Sequence, residues 1–203
     1  MRVTPTFVIA LALWMGTFVL MNHFGTWAPL GALGPILAGI VLFREPAARQ
    51  LLRPNLRLTM IGLGMGSAMV IATYVLFDLF SRVAPELHPL TIALYGALRA
   101  PGFTLIERGV LVSLVAVAEE IVFRGTVLPD REVGLRKAAI AVAMNSTIVG
   151  VAHVASGNWL LALVAGLTAV LWGGLRVWTK SSVPSILTHI MWDLSVLVIW
   201  PLK

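Results

Sequence analysis

Seven apolar runs, at about 4–22, 27–43, 58–80, 103–122, 138–155, 159–178 and 183–200, account for most of this chain. A helix needs ~20 residues to cross the hydrocarbon of a bilayer, and each run is close to that length. Lipid gives a backbone nothing to hydrogen-bond with, so such runs fold as helices. The expected fold is therefore all-α, a polytopic transmembrane bundle of about seven to eight segments around a central polar cavity. The extra segment is LTIALYGALR at 90–99, too short to span and expected along the interface or in a re-entrant position. Hydrophobic residues make up 59% of the chain and charged residues 12%, whereas soluble domains are ~45–50% apolar. No room remains for a soluble domain, and 1–203 reads as one integral membrane domain.

The first run follows Arg2 and resembles a signal peptide in position, but NHFGTWAP offers no small-x-small cleavage site, so a retained first helix is expected. There are no cysteines, which removes disulfides, thiol catalysis and thiolate ligands together. The formal charge is +6, yet the basic residues fall between apolar runs and form no single patch. This placement argues for topology and against nucleic-acid binding. With the N-terminus cytoplasmic, that side holds Arg2, Arg44, Arg49, Arg53, Arg57, Arg124, Arg131, Arg136, Lys137, Arg176 and Lys180; the other holds Arg82, Arg99, Arg108 and Lys203. The expected location is a prokaryotic cell membrane with the N-terminus inside.

GLGMGSAM at 62–69 has the glycine content of a nucleotide loop, but it lies within an apolar run with no lysine after it, so no nucleotide is expected. Gly62 and Gly66, four apart, are expected to let helices approach closely. The same reading covers Gly166, Gly173 and Gly174. Pro184 sits at a first-turn position, with Ser181 or Ser182 as the helix cap.

An ionisable side chain deep in a membrane costs ~2.5 to 3.5 kcal/mol or more, so each one is a functional candidate. Asp78, Glu107 and Arg108 lie near run ends, where snorkelling accounts for them. His23 and His88 lie in short connections. What remains is Glu119, Glu120 and Arg124 in AVAEEIVFRG, His153 in IVGVAHVAS, and His189 with Asp193 in the last run. Residues four apart share a helix face, which pairs Glu120 with Arg124 and His189 with Asp193. Glu119 is left without a local partner. Asn145 and Ser146 are expected to be packing donors.

Groups of this kind converge on a bundle interior, because facing lipid separately would cost each its full penalty. Converged, they make a hydrolytic site: Glu119 takes a proton from water, His153 orients the water, and His189 with Asp193 stabilises the oxyanion on a peptide carbonyl. Glu120 and Arg124 then act as support.

At these residues the chain resembles the CPBP family, the Abi or CAAX-prenyl-protease-2-like intramembrane proteases. The family pattern is E-E-x-x-x-R, F-x-x-x-H and H-x-x-x-N/D on successive helices. Glu119, Glu120 and Arg124 match the first motif, with Phe123 to Gly125 completing FRG; His189 and Asp193 match the third. The second departs from the pattern, with Val149 where phenylalanine is usual before His153. The resemblance covers about 110–195, with 103–200 as the protease-like core and 1–102 as additional transmembrane helices. It implies peptide-bond hydrolysis in a membrane-associated protein or peptide: a CAAX terminus, a leader peptide or a C-terminal sorting anchor. It also implies Glu119 as the water-activating base, assisted by His153.

Two readings of the chemistry stay open. Glu119, His153, His189 and Asp193 could hold zinc, but there is no H-E-x-x-H, and a ligand glutamate could not also serve as the base; the expectation is no metal and no cofactor. Depth is a further constraint. His153 lies 16 residues beyond Lys137, roughly 24 Å of helix, so meeting Glu119 requires a late-starting or tilted helix, or a dip of 125–137 into the membrane. The rival functions are a non-catalytic membrane scaffold or immunity protein, which retention of every catalytic group opposes, and a small transporter, which the lack of repeated halves opposes.

Overall fold

A computed structural model describes residues 4–98, 102–129 and 133–202. Among the described residues the chain is helical, with no strand. The helices are α1 (Pro5–Phe24), α2 (Ala28–Arg44), α3 (Pro46–Gln50), α4 (Leu56–Val83), α5 (His88–Leu98), α6 (Leu105–Glu119), α7 (Gly125–Val127), α8 (Leu135–Val154), α9 (Trp159–Thr179) and α10 (Val183–Asp193). Two π-helical stretches join this order: Glu120–Arg124, between α6 and α7, and Leu194–Ile199, after α10.

The starts of these helices are written in polar side chains. Thr4 Oγ1 accepts from the Phe7 amide at 3.2 Å and Asn55 Oδ1 from the Leu58 amide at 2.9 Å. Asn158 Oδ1 accepts from Leu160 and Leu161. Each satisfies an amide that the first helical turn leaves free. Thr104 and Glu107 form a reciprocal capping box on α6, and this is where Glu107 is used. Asp78 pairs with Arg82 at 2.8 Å on the exposed surface. At α10 Pro184 occupies the first turn; Ser182 takes the cap position without a side-chain cap bond, and the Ser181 hydroxyl accepts from the Val183 amide at 3.2 Å.

Four helices among the described residues are long and apolar enough to cross a membrane: α1, α4, α8 and α9. α2 and the 183–199 stretch are apolar but shorter. The chain is an integral membrane protein. α5 is a short helix of 11 residues.

Hydrogen bonds between connections set the two ends of the bundle. At one end, Ser182 N–H and Ser181 Oγ–H both donate to Leu51 O, at 2.9 and 3.0 Å. At the other, Asn22 Nδ2 donates to Ser156 O at 2.9 Å, and the Tyr74 hydroxyl donates to Trp200 O. Between the ends, α4 packs on α10 and α8 packs on α9. A Cβ on Gly62 would lie 3.0 Å from Pro184 Cα, and one on Gly66 would lie 2.9 Å from Met191 Sδ. The absent side chains let α4 and α10 touch, and Thr188 Oγ1 bonds to Gly62 O at 3.0 Å. Gly166 packs against Gly150 and Gly173 against Val142, but a Cβ on Gly174 would meet nothing within 4 Å, so close packing does not explain that glycine.

Candidate active site

The Glu119 and Glu120 carboxylates leave the chain where α6 passes into the π stretch. A π turn closes i→i+5 bonds, and Gly125 N–H accordingly bonds Glu120 O. The opened ladder is braced from α8, where buried Asn145 donates to Phe123 O at 3.1 Å. Phe123 is fully buried, its ring edge-on to Trp14 at 5.6 Å and to Phe7 at 6.4 Å. The FRG segment is therefore clamped between α1 and α8.

His153 Nε2 lies 3.2 Å from Glu119 Oε1, and its Nδ1 lies 2.9 Å from Val149 O. A carbonyl can only accept, so Nδ1 is the donor there, and Nε2 is left facing the carboxylate. His153 and Glu119 meet despite the count from Lys137. Leu128 and Val142 both pack at Gly173, so the chain after α7 already lies level with the middle of α8. The first turns of α8, largely exposed from Leu135 to Ile140, project past that level. Eleven residues of α8 and nine from Leu128 back to Glu119 then bring the two side chains together.

His189 stands between the adjacent glutamates. Its Nδ1 is 3.0 Å from Glu120 Oε1, and its Nε2 is 3.4 Å from Asp193 Oδ2 and 3.9 Å from Glu119 Oε2. The expected Glu120–Arg124 pair is present at 3.4 Å, with both side chains wholly buried. It is less than a hydrogen-bonded staple, because Nε, Nη1 and Nη2 of Arg124 have no hydrogen-bond acceptor among the described residues. The π stretch carries residue 124 past the fourth-residue alignment that an α-helix would give. Glu120 thus supports His189 more closely than it supports Arg124, a role that helix spacing did not indicate. The Arg124 Cζ lies 5.4 Å from the Trp172 ring, which stacks on His189 at 3.7 Å and 18°.

Glu119, His153, His189 and Asp193 open onto one cavity of about 80 Å³. That is room for a few water molecules. The remaining wall is nearly all apolar: Val164, Trp172 and Trp192 come from the second half of the chain, and Phe18, Trp27 and Leu94 from the first. Trp192 is fixed by its indole N–H to Thr73 Oγ1 at 2.8 Å. None of these wall residues was singled out from sequence; the visible signal was seven tryptophans in 203 residues. Zinc ligands lie ~2.0–2.2 Å from the metal around a common centre. Here ring nitrogens and carboxylates face each other directly, and no group of three or more His, Asp or Glu among the described residues is arranged to hold a metal ion.

A helical bundle with paired carboxylates and imidazoles on the wall of an apolar cavity holds the groups that proton transfer to and from water requires. Residues 101–195, just under half of the chain, match the family model described as Rce1-like, type II CAAX prenyl endopeptidase Rce1-like, so this segment is similar to that family. No curated protein and no solved structure matches it. The matched segment is the one that carries Glu119, His153, His189 and Asp193, and the similarity supports a protease reading of the site.

Proposed function

We propose that the chain is an intramembrane endopeptidase in which Glu119 activates water without a metal. The observation that carries this reading is Glu119 itself, in reach of His153 and His189 on the wall of an apolar cavity. Water bound there gives a proton to the Glu119 carboxylate while its oxygen attacks the peptide carbonyl carbon, with His153 Nε2 orienting it. The carbonyl electron pair moves to oxygen, and the cavity-side N–H of His189 donates to that oxyanion. Asp193, on the Nε2 edge, and Glu120, on the Nδ1 edge, position the imidazole. Collapse breaks the C–N bond, and the proton held by Glu119 passes to the leaving amine.

Burial of the reacting groups among Trp, Leu and Val supports a substrate that presents an extended, apolar segment at the membrane, as a CAAX terminus, leader peptide or sorting anchor does. Seven traversals fit the tied ends: α1, α2, α4, α6 through α7, α8, α9, and α10 with its π continuation. The excess of basic residues in alternate connections supports an N-terminus on the cytoplasmic side, and the compact chain with short connections supports a prokaryotic cell membrane.

Membrane peptidomes from cells expressing the native protein and its Glu119→Gln variant test the reading. Peptides that accumulate only with the native chain are expected. Identical peptidomes from two folded, equally expressed proteins would make the chain a non-catalytic scaffold.

A further inference from the structure

Three carboxylates hold His189 by its edges: Glu120 at Nδ1, and Asp193 and Glu119 at Nε2. Contacts at the two ring nitrogens leave one motion open, rotation about the line that joins them. That rotation tilts the ring plane and swings the N–H directions with it. What the carboxylates cannot hold is the face of the ring.

Trp172 covers that face. Its indole stacks on the imidazole with centroids 3.7 Å apart and planes 18° from parallel, closer than the ~4.5–7 Å usual for aromatic pairs. A flat plate at this distance blocks the tilt that edge contacts permit. The indole is itself held. Helical side chains lean over the preceding turn, and on α9 that turn presents Ala169, whose fully buried methyl leaves room for a large ring. Trp192 meets Trp172 edge-on at 6.0 Å and 69°, and is tied to α4 through Thr73. Arg124 Cζ lies 5.4 Å from the Trp172 ring. Its guanidinium nitrogens have no hydrogen-bond acceptor among the described residues, so its charge rests on the negative face of the indole and on Glu120, 3.4 Å away. Arg124 thus touches both supports of His189, the one at its edge and the one on its face.

We propose that Trp172 is a positioning residue: its indole fixes the plane of His189, and Arg124 holds the indole in place. The effect on rate rests on the role proposed above for His189 as donor to the oxyanion, since a hydrogen bond weakens steeply as its angle falls toward ~120°. The effect on the ring itself does not depend on that role.

The test reads the ring and the reaction separately. The chain has four histidines, so protein carrying carbon-13-labelled histidine gives few ring signals, and His189→Gln identifies that of residue 189. Relaxation of its Cε1–H in the substrate-free protein is expected to report a rigid ring, with an order parameter near ~0.85, in the native chain and in Trp172→Phe, and a mobile one, below ~0.6, in Trp172→Leu. Trp27→Leu, which removes an indole that the first half of the chain gives to the same cavity wall, should leave the ring rigid. On a synthetic peptide copied from a cleavage site mapped in the peptidome comparison, Trp172→Leu should lower kcat about 10- to 100-fold with KM within about twofold of native, and Trp172→Phe should lose less than about threefold. A ring that stays rigid in Trp172→Leu would overturn the proposal, as would equal mobility in Trp172→Leu and Trp27→Leu, or equal rate losses in the leucine and phenylalanine variants. A mobile ring in the native chain would overturn it without any variant. Peptidomes that do not depend on Glu119 would overturn the proposed function instead, and the relaxation measurement would still decide for or against the stack.

Discussion

The ring of Phe18 lies 4.9 Å from that of His153, tilted by 55°, although the two residues sit on α1 and α8 and are separated by about two thirds of the chain's length. Phe18 is 2% exposed. The aromatic that the family motif places one helical turn before the histidine is absent, since position 149 is valine, and an aromatic arrives from α1 instead. With Nδ1 held by Val149 O, Phe18 limits how far the imidazole can tilt away from Glu119.

Phe18→Leu should therefore lower the rate of Glu119-dependent cleavage by about 10- to 100-fold with little change in KM, the scale expected when a reacting group loses its orientation. Val149→Phe in the same chain should recover much of the rate, because residue 149 stands one turn before His153 on the same face. A loss confined to KM, or no recovery in the double variant, would reduce Phe18 to simple packing.

The two adjacent glutamates should separate cleanly. Glu119→Gln is expected to abolish cleavage at small cost in stability, since the amide still bonds to His153. Glu120→Gln leaves Arg124 buried without a counter-charge and should destabilise the fold by about 3–5 kcal/mol, the cost of breaking a buried ion pair. Thermal unfolding in one detergent, with cleavage measured alongside, distinguishes the two.

Glycines on two faces give a control for helix packing. Gly62→Ala drives a methyl into the Pro184 backbone, which cannot move aside as a flexible side chain would, and should cost about 1–3 kcal/mol. Gly174→Ala, with open space around it, should be neutral or stabilise by up to about 1 kcal/mol through helix propensity. Equal melting temperatures for the two would contradict the α4–α10 contact described above.

Exhaustive chelation should leave Glu119-dependent cleavage unchanged. Activity lost to a chelator and restored by zinc would overturn the glutamate mechanism and require the four groups to rearrange around a metal.

Much of this site is legible in the chain because its logic is local. His189 and Asp193 share a face by four-residue spacing, and Glu119 stands out as the acid with no partner on its own helix. The π turn at Glu120–Arg124 left no comparable trace: a switch from i→i+4 to i→i+5 bonding depends on packing against Asn145, Trp14 and Phe7, not on the identities of EIVFR. The same limit hid Phe18, Trp27 and Leu94, since an apolar residue on a membrane helix does not declare whether it faces lipid or a cavity. The apparent mismatch in depth arose from treating Lys137 as the start of the buried helix, whereas Leu128 re-enters beside Val142.

The cavity wall has two origins. The reacting carboxylates and imidazoles come from the half that matches the family, while Phe18, Met21, Trp27, Leu30 and Leu94 come from the half that does not. The apolar wall is thus shared, since Val164, Trp172 and Trp192 join it from the second half. Under the proposed function, substitutions at Trp27 or Leu94 would reshape part of the cavity while leaving its carboxylates and imidazoles in place.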